Sequence, residues 1–360
     1  MTQYIIWAGA LLLLLILLVL FRISRLVAVV SDADKKFENN ANKINAALFV
    51  IFLVGGMGAI FYYSYNYFTD YTLPVASEHG AETDRLFWIT MAVTGVVFVL
   101  TTILLFVFPY VYQYKENRKA LFYPHNNKLE VIWTVIPAIV LTMLIGTGLK
   151  SWTDITSAPS EDAVEFELMG YQFAWRARYA GADQQLGETD YRLISDQNEF
   201  GLDLTAASSL DDFMPPEVHV PVGQEVNIKI RARDVLHSVF IPHMRVKMDA
   251  VPGMPTNFKF TPTMTTQEMR DELGDPSFNY EIACTEVCGR GHFSMRLVLV
   301  IEEPEEYEAW YADWSENKSF LDLNPGMIEN VPEELREIAV MSTGLETEAV
   351  SNVEQESSIN

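Results

Sequence analysis

Two patterns of apolar and polar positions divide the chain. Four apolar runs, at residues 4–21, 46–68, 87–110 and 131–149, fill its first part. A helix needs about 20 residues to cross a bilayer, so each run predicts a spanning helix. The first run, with L-L-L-L-L-I-L-L-V-L at its centre, has a secretory signal as its rival reading. It lacks a basic leader and an A-x-A cleavage site, and its positive charges, Arg22 and Arg25, follow the apolar stretch. Those features favour a retained helix. From about residue 165 the period changes. V-E-F-E-L-M-G-Y-Q-F-A-W-R-A-R-Y, E-V-H-V-P-V-G-Q-E-V-N-I-K-I-R-A-R, F-N-Y-E-I-A-C and M-R-L-V-L-V-I-E are short alternating runs broken by Gly and Pro. Strands at this spacing predict an all-β sandwich or barrel. Residues 181–213 are polar and irregular and look like an insertion loop. A short helix is expected over residues 307–315, and the acidic end, S-N-V-E-Q-E-S-S-I-N, reads as a disordered or partner-ordered tail.

Loop charge sets the orientation. Arg22, Arg25, Lys35, Lys36 and Lys43 follow the first run, and Lys115, Arg118, Lys119 and Lys128 lie between the third and fourth. The loop between the second and third holds Asp70, Glu78, Glu82 and Asp84 against one Arg85. The positive-inside rule makes the two basic loops cytoplasmic. Everything after Lys150 then lies outside, which in a bacterium means an inner-membrane protein with a periplasmic C-terminal domain. Composition agrees: 49% hydrophobic residues coexist with a net charge of -23, as membrane helices joined to an acidic aqueous part would give. The acidity argues against nucleic acid, whose phosphates need clustered Lys and Arg, and favours a cationic partner or a solvated surface. Glu130, just before the fourth run, is either a carboxylate stabilised by a helix N-terminus or a proton-entry group.

The chemistry concentrates in one stretch, C-T-E-V-C-G-R-G-H-F-S-M. It contains Cys284 and Cys288, the two cysteines of the chain, with His292 and Met295. Glycines and flanking strands make it a loop. A disulfide is permitted in an oxidising compartment but needs neither the histidine nor the methionine. Zinc suits two Cys with His but not a thioether. Copper accepts thiolate, imidazole and thioether together. His237, with His243 as its competitor, is the candidate for a further nitrogen ligand. A mononuclear electron-transfer copper uses one Cys, so this loop has one too many; two thiolates can instead bridge two coppers, each capped by one imidazole.

L-E-V-I-W-T-V-I-P-A, M-G-Y-Q-F-A-W, D-V-L-H-S-V-F-I-P, K-M-D-A-V-P-G-M and the cysteine loop occur in that order, and together they resemble subunit II of the haem-copper cytochrome c oxidases over residues 128–310. Taken with the four spans, the resemblance implies a membrane-anchored all-β protein, with four N-terminal transmembrane helices followed by a periplasmic cupredoxin-like Greek-key β-barrel. The expected division is an extra helix pair (1–68), a helix hairpin (69–150), the copper domain (151–303) and an acidic tail (304–360).

The implied cofactor is a pair of copper ions, the Cu-A centre. Cys284 and Cys288 would bridge it, His237 and His292 would cap it, and Met295 and the Glu286 carbonyl would be weak ligands. The Glu286 carboxylate and Asp249 match positions that hold magnesium or manganese at the subunit I interface. Glu130 matches a carboxylate at a proton path. The implied function is electron entry into a proton-pumping oxidase: cytochrome c or another c-type haem donor reduces the copper pair, and haem in subunit I receives the electron for oxygen reduction. The implied partners are subunit I and the other oxidase subunits. Phe173 stands where the family has the tryptophan of electron entry, with Trp175 nearby. The family has two membrane helices, so the extra pair is expected to dock another respiratory complex. The alternative function is a membrane-tethered periplasmic copper-binding protein.

Overall fold

The structure is a computed structural model that describes residues 2–30, 34–115 and 118–342. The apolar runs form long helices: α1 (Thr2–Val30), α2 (Asp34–Asn66), the single turn α3 (Phe68–Tyr71), α4 (Glu78–Val111) and α5 (Asn127–Thr156). Among the described residues, three stretches are long and apolar enough to cross a membrane: Asn40–Asn66, Glu78–Val111 and Asn127–Thr156. The four expected spans therefore become three. Residues 4–21 fall within α1, but the side chains of residues 4–8 and 10 lie outside the described residues. Phe106 of α4 packs between Phe49 and Phe52 of α2, with ring centroids 5.8 and 5.3 Å away.

The second unit, residues 73–88 and 141–360, contains the strands. They are β1 (Val164–Tyr171), β2 (Ala174–Tyr179), β3 (Val218–Pro221), β4 (Val226–Ala232), β5 (His237–Ile241), β6 (Val246–Ala250), β7 (Thr256–Phe260), β8 (Tyr280–Cys284) and β9 (Arg296–Glu302). One sheet has the order β2-β1-β4-β7, the other β3-β9-β8-β5-β6. The β1/β4 and β3/β9 pairs are parallel. Alternation explains the core. Leu297, Leu299 and Ile301 of β9 turn inward to meet Phe166, Leu168, Ile228 and Ile282, and all are buried. Each such side chain contributes about 1.5–3 kcal/mol on burial. A helix, α6 (Thr266–Leu273), is opened by a capping box between Thr265 and Glu268.

The sandwich also holds a segment from early in the chain. Ala76 N–H donates to the His243 carbonyl (2.8 Å), Ser77 Oγ to the Met244 carbonyl (2.7 Å), and Arg245 grips Asp84 through Nε and Nη2 (2.7 and 2.8 Å).

The all-β description fits the strands alone, because helices occupy the first part of the chain and follow the last strand. The expected short helix is α7 (Pro304–Asn317), which begins with Pro at its first position. Its Trp310, Tyr311 and Trp314 pack on Tyr179 and Phe213. Beyond it come α8 (Phe320–Leu323) and α9 (Glu333–Ser342). Residues 181–213 are no free loop: their Phe200, Leu202, Leu204 and Leu210 bury against Phe320, Leu321, Ile328 and Ala339 as a second core. Met169 of β1 joins that core, so β1 is buried on both faces. Beneath it, buried Arg178 pairs with Glu167 and Asp212, and Arg231 reaches Glu167 at 2.6 Å. Of the expected acidic tail, 304–360, residues 304–342 are therefore folded, and the end expected to be disordered, S-N-V-E-Q-E-S-S-I-N at 351–360, lies outside the described residues.

Candidate metal centre

β8 ends on Cys284, and the loop to β9 carries Cys288, His292 and Met295. His237 opens β5, the neighbour of β8, with Val239 opposite Cys284. The sheet thus places a buried imidazole beside the buried end of the adjacent strand. Cys284 Sγ lies 3.8 Å from His237 Nδ1, and Cys288 Sγ lies 3.6 Å from His292 Nδ1. Met295 Sδ is 3.9 Å from Cys288 Sγ, and the Glu286 carbonyl is 3.3 Å from Cys284 Sγ. The donor atoms of His237, Cys284 and Cys288 all fall within 4.8 Å of one another. Neither cysteine is in a disulfide.

His237 is fully buried and Met295 almost so. Burial, then the neighbouring Cys284, pushes the Cys288 thiol up to about 11. Such a thiol must lose its proton for a metal to bind. Burial pulls Asp234 toward its neutral form, but hydrogen bonds from Gln172 N–H, His237 and Val235 N–H outweigh it and hold the carboxyl below its ordinary range.

The two-residue turn between β1 and β2 lies across the loop. Gly289 has φ +139°, and a Cβ there would meet the Phe173 ring at 2.9 Å. At Gly291 a Cβ would come within 2.6 Å of Phe173 Cγ. Only glycine lets the ring lie this close. Phe173 is 37% exposed, whereas Trp175 is buried, its ring edge toward His237 with centroids 5.9 Å apart.

The structure separates the two histidine candidates. His237 joins the cysteines, while His243 packs edge-on against Phe278 and Tyr280. Among the described residues, the one group of three or more metal-capable His, Cys, Asp or Glu side chains is His237, Cys284 and Cys288; His292, which meets Cys288 alone, and the Glu286 and Asp249 carboxylates are outside it. Asp249 instead accepts from Ser238 Oγ (2.8 Å). Glu130 sits in the first turn of α5, with Asn126 N–H 3.4 Å from its Oε1. Sequence reasoning missed Asp234 and Gln172. Their signals were the D-x-x-H spacing before His237 and the Gln beside Phe173.

The donor set selects the metal. Two thiols, two imidazoles and a thioether converge without a disulfide, a set that suits copper better than zinc.

Residues 59–150 match the family model "Cytochrome C oxidase subunit II, transmembrane domain", and residues 165–302 match "Cytochrome C oxidase subunit II, periplasmic domain". The chain is 32% identical over 282 residues to the alternative cytochrome c oxidase subunit 2 of Bradyrhizobium diazoefficiens, spanning 77% of this chain and 94% of that one. It is 28% identical over 264 residues to the cytochrome c oxidase subunit 2 of Thermostichus vulcanus, spanning 65% and 76%. The crystal structure of the periplasmic domain of subunit II of cytochrome oxidase from Bradyrhizobium japonicum aligns over 43% of this chain and 94% of that one, at 21% identity and a TM-score of 0.29.

Proposed function

The chain belongs to the cytochrome c oxidase subunit II family, and from that premise we propose that the loop of residues 284–295, with His237, holds the oxidase's electron-entry copper pair. The carrying observation is the convergence of a His237 ring nitrogen, Cys284 Sγ and Cys288 Sγ within 4.8 Å. Cys284 and Cys288 offer thiolates placed to be shared. His237 and His292 each face one of them, and the Met295 thioether and Glu286 carbonyl complete the set. Bound there, copper supplies one-electron transfer, and oxygen reduction belongs to another subunit. The chain's own part is to hold the donors on two adjacent strands and the loop that follows β8, and to exclude water. A soft donor set in a rigid, buried setting limits rearrangement between oxidation states.

Electrons enter from a c-type cytochrome or similar haem donor. Charge complementarity supports a cationic donor: residues 303–342 carry eleven acidic residues against Lys318 and Arg336. Opposite charge raises the encounter rate, an effect that salt weakens. Phe173, exposed above Gly289 and Gly291, and Trp175, buried beside His237, mark the entry side. Glu286 and Asp249 contribute to a magnesium or manganese site that subunit I completes. Glu130 serves a proton path into subunit I. The chain divides at 1–68, 69–150, 151–303 and 304–360, sits in a bacterial inner membrane with the copper domain in the periplasm, and uses α1 with α2 as an extra pair that docks another respiratory complex.

The test is electron paramagnetic resonance on the copper-loaded full chain in detergent. One unpaired electron shared by two copper nuclei is expected. A single-copper signal, or a protein whose cysteines are oxidised to each other, overturns the reading.

A further inference from the structure

We infer that Asp234 is the positioning residue of this centre, acting with Gln172 through the β1–β2 turn; the inference rests on the copper reading above. Asp234 lies between the end of β4 and His237. Its Oδ1 receives Val235 N–H (2.7 Å) and stands 2.9 Å from His237 Nε2. Its Oδ2 receives Gln172 N–H (2.8 Å). The Gln172 side-chain amide donates in turn to the Cys288 carbonyl. One carboxylate and one amide thus tie both ligand arms, His237 on β5 and Cys288 on the β8–β9 loop, to a single two-residue turn.

The consequence for His237 follows from its burial. The ring is sealed from solvent, and a buried donor without a partner costs about 1–3 kcal/mol. A carboxylate at Nε2 puts the ring proton there and leaves the Nδ1 lone pair facing Cys284. The same contact makes the imidazole a more basic ligand. Asp234 touches no reacting atom; it selects the tautomer and, with Gln172, sets the spacing of the two arms.

The test uses the full chain in detergent, as wild type, Asp234→Ala, Asp234→Asn and Gln172→Leu. In metal-free wild type at pH 8, nitrogen-15 NMR is expected to place the His237 proton on Nε2. After copper loading, Asp234→Ala is expected to lose about 10–100-fold in copper affinity. Its midpoint potential rises, because a negative charge that favours the oxidised state is gone. Asp234→Asn keeps an acceptor oxygen for Nε2–H but turns its NH2 toward Gln172 N–H, so it recovers part of the affinity and still shows the raised potential. Gln172→Leu loses affinity with the potential unchanged. If Asp234→Ala fails to fold, Asp234→Asn carries the comparison. An Asp234→Asn potential equal to wild type, or a His237 proton on Nδ1, overturns the inference. A wild-type chain without a shared-copper signal overturns the copper reading instead and leaves the NMR result standing as its own test.

Discussion

Cys284 Sγ and His237 Nδ1 face each other across 3.8 Å, both on buried side chains and each from a different strand. That pairing separates His237 from His243, whose ring packs on Phe278 and Tyr280. His237→Ala is expected to abolish the shared-copper signal and to lower bound copper below two per chain. His243→Ala is expected to leave both unchanged. Paramagnetic resonance and elemental analysis of the two variants decide the matter, and equal loss in both would remove His237 from the site.

The two sulfur types should behave differently when replaced. Cys288→Ser removes a thiolate that no other residue supplies, so the shared signal disappears. Met295, 3.9 Å from Cys288 Sγ and 1% exposed, offers only a weak thioether. Met295→Leu keeps its volume and is expected to retain two coppers with a raised potential, because losing an electron donor favours the reduced state. Spectroelectrochemical titration checks the sign.

The sequence revealed the strands and the metal loop for the same reason: both are local. Period-two alternation in E-V-N-I-K-I-R marks β4, and four soft donors within twelve residues mark the loop. Long-range pairing was hidden. Phe200, Leu202, Leu204 and Leu210 have no regular period, and their partners Phe320, Leu321 and Ile328 lie far along the chain, so residues 181–213 looked like a loop. Glu167 sits at an alternate position of β1 that suggested solvent, yet it is buried because Arg178 and Arg231 meet it there. Asp234 and Gln172 gain meaning only when the β1–β2 turn folds onto the cysteine loop. The membrane half was legible by length and composition, with three spans among the described residues rather than four.

The second core predicts a measurable contribution from the C-terminal helices. Leu321 is fully buried among Phe200, Leu202 and Leu210. Leu321→Ala is expected to cost about 2–5 kcal/mol, the range for such a cavity. Chemical denaturation of the variant should show the loss. Its shared-copper signal should survive, because Leu321 belongs to the second core and none of the centre's donors does.

Breaking the buried ion network should be equally costly. Arg178 is 3% exposed and serves Glu167, Asp212 and the Gly187 carbonyl. Arg178→Met leaves two buried carboxyl groups without their shared cation, a change expected to cost about 3–5 kcal/mol. A melting temperature equal to wild type would show that residues 181–213 are held by apolar packing alone.

Asp212 gives that network a pH dependence of definite sign. Burial pushes its carboxyl up to about 7 from an ordinary 3.8, against the pull of Arg178 and Gly187 N–H. Between those values the folded state keeps a proton that the unfolded state has released. Folding stability therefore falls as pH rises from about 4 to about 7, and is flat on this account outside that window. Asp212→Asn removes the titration while keeping an acceptor for Arg178. Other groups titrate alike in both proteins, so the stability difference between them isolates Asp212. Urea unfolding at pH 5 and pH 8 should show wild type losing stability relative to the variant at the higher pH. A difference independent of pH would place the Asp212 carboxyl back in its ordinary range.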